Sequence, residues 1–170
     1  MELSKKSLEE TKDLIRRYKN NYERGICDSV RLATESLYQK VLQKCYENGI
    51  DKHTDAIHWD YDENTRTGRV WTHDYVLIFN EMGTGIKGLY HPHPIVGGWE
   101  YDQKGHGEEG WWYPCEPTNP RAYLCKDGVY RAWTKGLPSR RMFYDAYCEI
   151  ADELADYVKI EMKKNIGNLY

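Results

Sequence analysis

The sequence contains no run of about 18 consecutive apolar residues, and its first residues, Met1–Lys6, lead directly into a charged, helix-like pattern. A membrane-spanning helix needs about 20 apolar residues, and a secretory signal needs an apolar core behind its basic start. We therefore expect neither feature in this protein. The sequence also lacks internal repeats and low-complexity tracts.

Positive charge is not in excess either. The 170 residues carry 24 Lys and Arg against 27 Asp and Glu, which gives a formal net charge of -3. Proteins that bind nucleic acid need basic surface to neutralise phosphates. We therefore expect no sequence-specific nucleic acid among the partners, and the lack of a long apolar run also argues against a membrane.

The length suits one domain with a substantial core, so we predict a single domain over residues 1–170.

Recognisable sets of metal ligands and of disulfide cysteines are missing too. The five cysteines are odd in number and scattered, and those on helical stretches fall on the apolar face. This distribution is typical of small buried thiols in a reducing cytosol. The possible metal ligands show none of the spacings of standard zinc modules, so we expect no metal and no cofactor. These residues are His91, His93, His106, Cys115 and Cys125.

The sequence does contain two long amphipathic segments. In the first, apolar residues recur at mostly three- and four-residue steps from Leu8 to Cys45, behind a capping box at Ser7–Glu10. The stripe crosses Gly25 in phase and ends at Asn48-Gly49. It therefore predicts either one helix of about 60 Å or two helices broken near Gly25.

The second amphipathic segment lies near the other end of the sequence. Its apolar stripe predicts a helix from about Ser139 to Asn165, closed by Gly167. Arg140 and Arg141 would then lie in the first turn of this helix, where the helix dipole disfavours cations. Two explanations stay open: a carboxylate within the fold, or an acidic surface on a neighbouring subunit.

Alternation with a period of two residues predicts strands between these helices. Residues 56–61 alternate, a turn-rich segment follows, and Arg69–Thr72 returns as the second strand of a hairpin. Tyr75–Phe79 fits either a buried strand or a short helix capped by Asp74, because five apolar residues suit both. Val129–Thr134 restores strand alternation.

Residues 83–128 hold 9 of the 14 glycines and five of the six prolines. They also carry many aromatic side chains, which a solvated linker would not expose, so we predict a long but structured loop. The predicted fold class is α+β. The N-terminal and C-terminal helices pack on one short antiparallel sheet built from residues near 56–61, 69–79 and 129–134.

Signatures of catalysis are weak. Gly83–Gly88 is rich in glycine but lacks the spacing of a phosphate-binding loop, and no Gly-x-Ser-x-Gly nucleophile motif is present. Nothing in the sequence fixes the loop carboxylates near one another. Trp111–Tyr113 could stack on a sugar ring, so a carbohydrate-binding or hydrolytic module is the alternative function. A hydrolytic site would draw on Asp102, His106, Glu108 and Glu109, or on Cys115 with a histidine.

Two short motifs indicate a family. Tyr75–Gly85 is an apolar run that ends in Glu-x-Gly-Thr-Gly, and Gly136–Ala146 is a glycine-led entry to the C-terminal helix. Their order, within residues 66–164, resembles the tail-completion, or head–tail joining, family of long-tailed bacteriophages. The resemblance implies a structural protein of the virion neck or tail that is not an enzyme.

The resemblance also implies a homo-oligomeric ring, commonly a hexamer, that caps the tail tube and docks the head connector. The expected location is the virion, and the host cytoplasm during assembly. The motif positions are expected to serve structure; they are Glu81, Gly83, Thr84, Gly85 and Gly136. The residues expected to contact partner subunits are Arg140, Arg141, Trp99, Trp111 and Trp112.

Overall fold

A computed structural model describes residues 5–95 and 97–167. The protein combines long helices with small antiparallel sheets, so the predicted α+β class is confirmed. The described residues form two compact units. The first unit contains residues 5–44, 57–71 and 145–167, and the second contains residues 45–56 and 72–144 apart from residue 96. The assignment of residues 1–170 to one domain stays a prediction.

Helix α1 runs without a break over Lys5–Glu47, which decides for one helix rather than two. It begins two residues before the predicted capping box, and the Thr11 hydroxyl donates to the Ser7 carbonyl at 2.8 Å, as it does inside a helix. The capping box at Ser7 was therefore wrong. The predicted end is confirmed: Gly49 has a φ of +68° and donates to the Tyr46 carbonyl at 3.0 Å.

In the first unit, α1 packs against helix α4, Met142–Gly167. The Lys40 ammonium lies 3.0 Å from Glu149 and 3.2 Å from Glu153, and the Lys44 ammonium lies 2.7 Å from Glu149. The helices approach closely at Gly25, where a Cβ would lie 2.7 Å from the Met162 sulfur. A glycine in the middle of α1 is thus explained by packing rather than by a helix break.

The predicted hairpin is confirmed as strands β1, Ile57–Asp62, and β2, Thr67–Thr72. The Asp62 carboxylate accepts the Asn64 amide at 2.9 Å and so stabilises the turn. The hairpin packs on α1, because the Tyr38 and Trp59 rings lie 6.3 Å apart and a Cβ on Gly68 would clash with Thr34.

In the second unit, Tyr75–Met82 forms helix α2. The Asp74 carboxylate accepts the amides of Val76 at 2.7 Å and Leu77 at 3.1 Å, which is the capping that distinguishes a helix from a strand here. The prediction that the sheet extends over residues 69–79 was therefore wrong for the part that forms α2. The Gly-Thr-Gly turn then leads into a short helix α3, Gly85–Tyr90, which the sequence pattern did not predict.

A second sheet, instead of an extension of the hairpin, completes this unit. Strands β3, Trp111–Pro114, and β4, Tyr123–Leu124, flank β5, Tyr130–Thr134, in the order β3-β5-β4. Trp112 lies opposite Trp133, and all pairings are antiparallel. The single predicted sheet is therefore two sheets, because strands from the glycine-rich loop pair with β5.

Helix α4 begins at Met142, three residues later than predicted. The backbone amides of Ser139 and Arg140 donate to the His91 and Asn80 carbonyls, and Arg141 has a φ of +51° that a right-handed helix does not allow.

Within the described ranges, no helix is long and apolar enough to cross a membrane.

Candidate functional site

The two sequence motifs meet in the second unit. Thr84 and Leu137 form an antiparallel bridge: the Thr84 amide donates to the Leu137 carbonyl at 2.8 Å, and the Leu137 amide donates back at 3.0 Å. The Leu137 amide also lies 3.2 Å from the Thr84 hydroxyl. We call the joined segments, residues 81–85 and 136–144, the motif clamp.

Glu81 is the centre of the motif clamp. Its carboxylate accepts the backbone amides of Phe143 at 2.8 Å and Tyr144 at 2.9 Å, in the first turn of α4. The first amides of a helix have no partner within the helix, and the helix dipole favours an anion at this end. Glu81 therefore caps α4 from about 60 positions earlier in the sequence, and its own carbonyl accepts the Ser139 hydroxyl at 2.6 Å.

His93 is the second buried partner of Glu81. Its Nε2 lies 3.1 Å from the Glu81 Oε1 atom, and both side chains are almost completely removed from solvent. The ring meets Tyr144 edge-on with centroids 5.2 Å apart, and the His93 amide donates to the Tyr101 hydroxyl at 2.9 Å. From the sequence, His93 was only one of several possible metal ligands without a standard spacing. Nothing local distinguishes it from His91, two residues earlier.

The glycines of the motif clamp are required by close approaches of backbone to backbone. At Gly136, φ is +97° and a Cβ would collide with the Thr84 carbonyl at 1.9 Å. At Gly85, a Cβ would lie 2.6 Å from the Lys135 carbonyl and 2.7 Å from the Trp111 ring. Gly83 ends α2, because its amide donates to the Phe79 carbonyl at 2.8 Å. These positions leave no room for a side chain.

Arg140 and Arg141 lie before α4, so the prediction that they occupy its first turn was wrong. The Arg140 guanidinium donates to the Asn48 carbonyl at 2.6 Å, one residue beyond the end of α1. A helix C-terminus carries unpaired carbonyls and partial negative charge, which a cation stabilises. The recorded partner of Arg140 is thus a helix end, which is neither of the two explanations that the sequence left open. Arg141 is exposed, and its amide lies 3.4 Å from the Glu81 carbonyl.

An open groove of about 470 Å³ lies beside the motif clamp. Its walls come from α2, from the loop that precedes β3, from β3 itself and from the Gly136 turn. We call it the aromatic groove, because six ring-bearing side chains contribute to its lining. These rings belong to Phe79, Trp99, Tyr101, His106, Trp111 and Tyr113.

Several polar side chains of the aromatic groove have partners within the protein. The Trp99 Nε1 atom donates to the Gly83 carbonyl at 2.9 Å, and Tyr101 accepts the His93 amide. Asp102 accepts the Gly107 amide at 2.7 Å and contacts the His106 ring at 3.0 Å. Hydrogen bonds from Gly107 and His106 lower the pKa of Asp102 below its usual range. The exposed lining of the groove is mainly apolar.

The three tryptophans predicted to contact partners do not lie together. Trp99 and Trp111 line the aromatic groove, whereas Trp112, the next residue on β3, points to the opposite face of the sheet. On that face Trp112 lies opposite Trp133, and its ring centroid is 6.4 Å from that of Tyr123. The rings of Trp112, Trp133 and Tyr123 are all exposed. We call this aromatic surface of the sheet the outer aromatic face.

The loop carboxylates are held in separate interactions. Glu108 accepts the Tyr90 hydroxyl at 2.8 Å and lies 3.3 Å from the Lys135 ammonium. These two contacts lower the pKa of Glu108. Glu109 is exposed at the end of a short 3-10 helix. In the part of the chain that the structure describes, no three His, Cys, Asp or Glu side chains are grouped to hold a metal ion.

The glycines of Gly83–Gly88 do not form an anion cradle. The Gly85 amide donates to the Tyr101 carbonyl and the Gly88 amide to the Thr84 carbonyl. Both amides are therefore used within the fold.

Comparison with known proteins returns no relative: no family model matches the chain, and no curated protein or solved structure matches it.

Proposed function

We propose that this protein is a structural component of a long-tailed phage virion, located in the neck or tail. In this role it completes the tail and joins it to the head connector as part of a homo-oligomeric ring. A hexamer is the expected ring, as in the family whose motifs it resembles. The partners are further copies of the same chain, the tail-tube protein and the head connector, and no cofactor is required.

The observation that carries this proposal is the motif clamp. The two segments on which the resemblance rests are far apart in sequence, yet they are joined by the Thr84–Leu137 bridge and by the Glu81 cap on α4. In the resembled family these motif positions serve structure. A clamp in which the motif residues bond to each other supports the same role here.

Two of the loop carboxylates lack the property that a general acid needs. A general acid at neutral pH needs a raised pKa, as burial in an apolar pocket provides. Asp102 and Glu108 have lowered pKa values instead, and each is bonded to neighbours in the fold.

Exposed apolar surface supports a role in assembly. Large side chains are exposed on α1, on α4, in the aromatic groove and on the outer aromatic face. Exposed apolar patches, when contiguous, mark contacts with other macromolecules.

The direct test is to examine the purified protein by native mass spectrometry and negative-stain electron microscopy. We expect closed rings with one stoichiometry. In the phage that encodes the protein, a null mutation should leave filled heads and finished tails as separate particles. Joined, infectious virions from the null mutant would refute the assignment to head–tail joining.

Carbohydrate binding is a second candidate, because the outer aromatic face presents three exposed aromatic rings. Trp112, Trp133 and Tyr123 could stack on successive sugar rings. Calorimetric titration with soluble cell-wall oligosaccharides should then show a heat of binding, and no heat would refute this function. Trp112→Ala should abolish the heat of binding, whereas Trp99→Ala in the aromatic groove should not.

A further inference from the structure

The first third of α1 has an apolar stripe that no described part of the chain covers. Residues 8–20 are all exposed, and Leu8, Ile15, Tyr18 and Tyr22 follow one another at seven-, three- and four-residue steps. Such spacing places them on one face of a helix. Each of these side chains is between 46% and 63% exposed. We call residues 7–24 the arm.

The arm continues a stripe that is buried further along the same helix. Ser29 and Val41 are fully buried, and Ala33 is nearly so. The cover ends where α4 ends: near its C-terminus, the Asn165 carbonyl accepts the Asn21 side chain at 3.0 Å. A stripe that is buried along one part of a helix and exposed along another can bind a further apolar surface.

The aromatic groove has the complementary character. It is an open, mostly apolar groove whose Trp99 and Tyr101 polar atoms are already bonded within the unit. Docking of an amphipathic helix in an apolar groove through residues at i, i+3 and i+7 is a common recognition mode. Ile15, Tyr18 and Tyr22 have this spacing.

The charges beside the two surfaces are opposite. Lys12, Arg16 and Lys19 follow one edge of the apolar stripe of the arm. Lys12 and Arg16 pair within the helix only with exposed neighbours, and such surface pairs are weak. The loop beside the groove has four carboxylates and one lysine between residues 98 and 110, of which Asp102 is bonded to His106 and Glu108 to Lys135. These carboxylates belong to Glu100, Asp102, Glu108 and Glu109.

We propose that the arm of one copy docks in the aromatic groove of the next copy. The inference rests on the ring of the proposed function and specifies the contact that builds it. Two different surfaces of one chain that fit each other make a head-to-tail contact, and repetition of such a contact closes a ring when the rotation allows it. Antiparallel pairing of one arm with another arm would instead bring the basic edges of both helices to the same side.

Two double variants test the contact from both sides. The arm variant is Ile15→Glu with Tyr18→Glu, and the groove variant is Val76→Glu with Phe79→Glu. The groove positions line the aromatic groove from α2 and are both exposed, so neither pair removes a buried side chain. Leu154→Glu with Ile160→Glu on α4 is the matched control, since these side chains are similarly exposed.

We expect each docking variant to remain folded by circular dichroism. Each should raise the concentration needed for ring formation by roughly a hundredfold or more, since two central apolar contacts become charged. The control should assemble like the unmodified chain. An equimolar mixture of the arm and groove variants should form a 1:1 dimer by native mass spectrometry, because one intact arm and one intact groove remain.

Several results would overturn the inference. Rings of normal size from the arm variant would refute the docking while leaving the ring itself in place. Failure of the mixture to dimerise would refute the pairing of arm with groove. An unmodified chain that stays monomeric at all concentrations would refute both the docking and the self-assembled ring.

A photo-crosslink gives an independent readout. With p-benzoylphenylalanine at Tyr18, irradiation of the assembled protein should link the arm to residues 76–113 of another copy. A crosslink that maps to the arm of the other copy would establish arm-to-arm pairing and overturn the proposal.

Discussion

The motif clamp and the arm use their residues in opposite ways. In the clamp, Glu81 and Thr84 direct their polar groups at the backbone of the same chain, and the glycines are in close contact with neighbouring atoms. In the arm, Ile15 and Tyr18 direct apolar groups at solvent. The clamp should therefore determine whether the chain folds, and the arm whether folded chains associate. This difference orders the substitutions below.

The largest effect is expected at Gly136. In Gly136→Ala the new Cβ would overlap the Thr84 carbonyl oxygen, and the residue would keep a φ of +97°. Backbone strain and steric overlap together should lower the free energy of unfolding by about 3 kcal/mol or more. Gly128→Ala is the control, because its φ of +78° is similar but nothing lies within 4 Å. Equal losses in urea denaturation would show that clamp packing is unimportant.

Glu81→Gln should have the next largest effect. It keeps the shape of the side chain but removes the negative charge from the N-terminus of α4 and from His93. We expect a loss of about 2 kcal/mol in the free energy of unfolding, because the carboxylate is largely buried and accepts charge-assisted hydrogen bonds. Exposed Glu116→Gln should change it by less than about 0.5 kcal/mol.

Arg140→Ala tests whether this arginine serves the fold or a neighbouring subunit. Because its guanidinium binds the Asn48 carbonyl at the end of α1, the monomer should lose about 1.5 kcal/mol of stability. The control is Arg121→Ala at an exposed position, which should leave stability unchanged. Unchanged monomer stability combined with lost assembly would contradict the structural role and support an interface at Arg140.

The cap of α2 should make part of the stability depend on pH. Burial alone would raise the pKa of Asp74, but hydrogen bonds from His53, Leu77 and Val76 outweigh it and lower that pKa. A group with a lowered folded pKa contributes stability above its unfolded pKa, which is roughly 4 for aspartate. That contribution is lost as the pH falls through the folded value.

Asp74→Asn should therefore reduce the stability lost between pH 7 and pH 3, by about 1 kcal/mol in urea denaturation. Exposed Asp55→Asn is the comparison, and it should leave the pH dependence close to that of the unmodified chain.

The smallest effect on the monomer is expected in the arm. Ile15→Ser should change the free energy of unfolding by less than about 0.5 kcal/mol, measured at a concentration where the chain is monomeric, since both residues have similar helix propensity and the side chain is exposed. Val41→Ser on the same helix removes a fully buried side chain and should cost about 2 kcal/mol or more. Similar losses at both positions would mean that the arm is covered in the monomer.

Many residues of the candidate site could be identified from the sequence, but their arrangement in space could not. Glu81, Thr84 and Gly136 were identified from the motifs, and Trp99 and Trp111 from the aromatic loop. The sequence grouped Trp112 with Trp111, whereas alternation along β3 separates them onto two faces of the sheet. Phe79 and His93 were missed, because a single apolar or histidine residue carries no signal of what it will contact.

The sequence by itself determined the elements whose causes are local. Helix α1, the β1–β2 hairpin and most of α4 follow from side-chain periods and turn residues, which act over a few positions. The three-residue error at the start of α4 arose because Arg140 binds Asn48, 92 positions away, and Ser139 bonds to Glu81.

Only the tertiary structure decided the second sheet, the motif clamp and the aromatic groove. Strands β3 and β4 have four and two residues, too few to establish a period, and they are stabilised by pairing with β5. The cap of α4 by Glu81 and the groove walls likewise join segments distant in sequence. Such contacts depend on which backbone groups remain unpaired after local structure has formed, and this becomes defined only when the chain is folded.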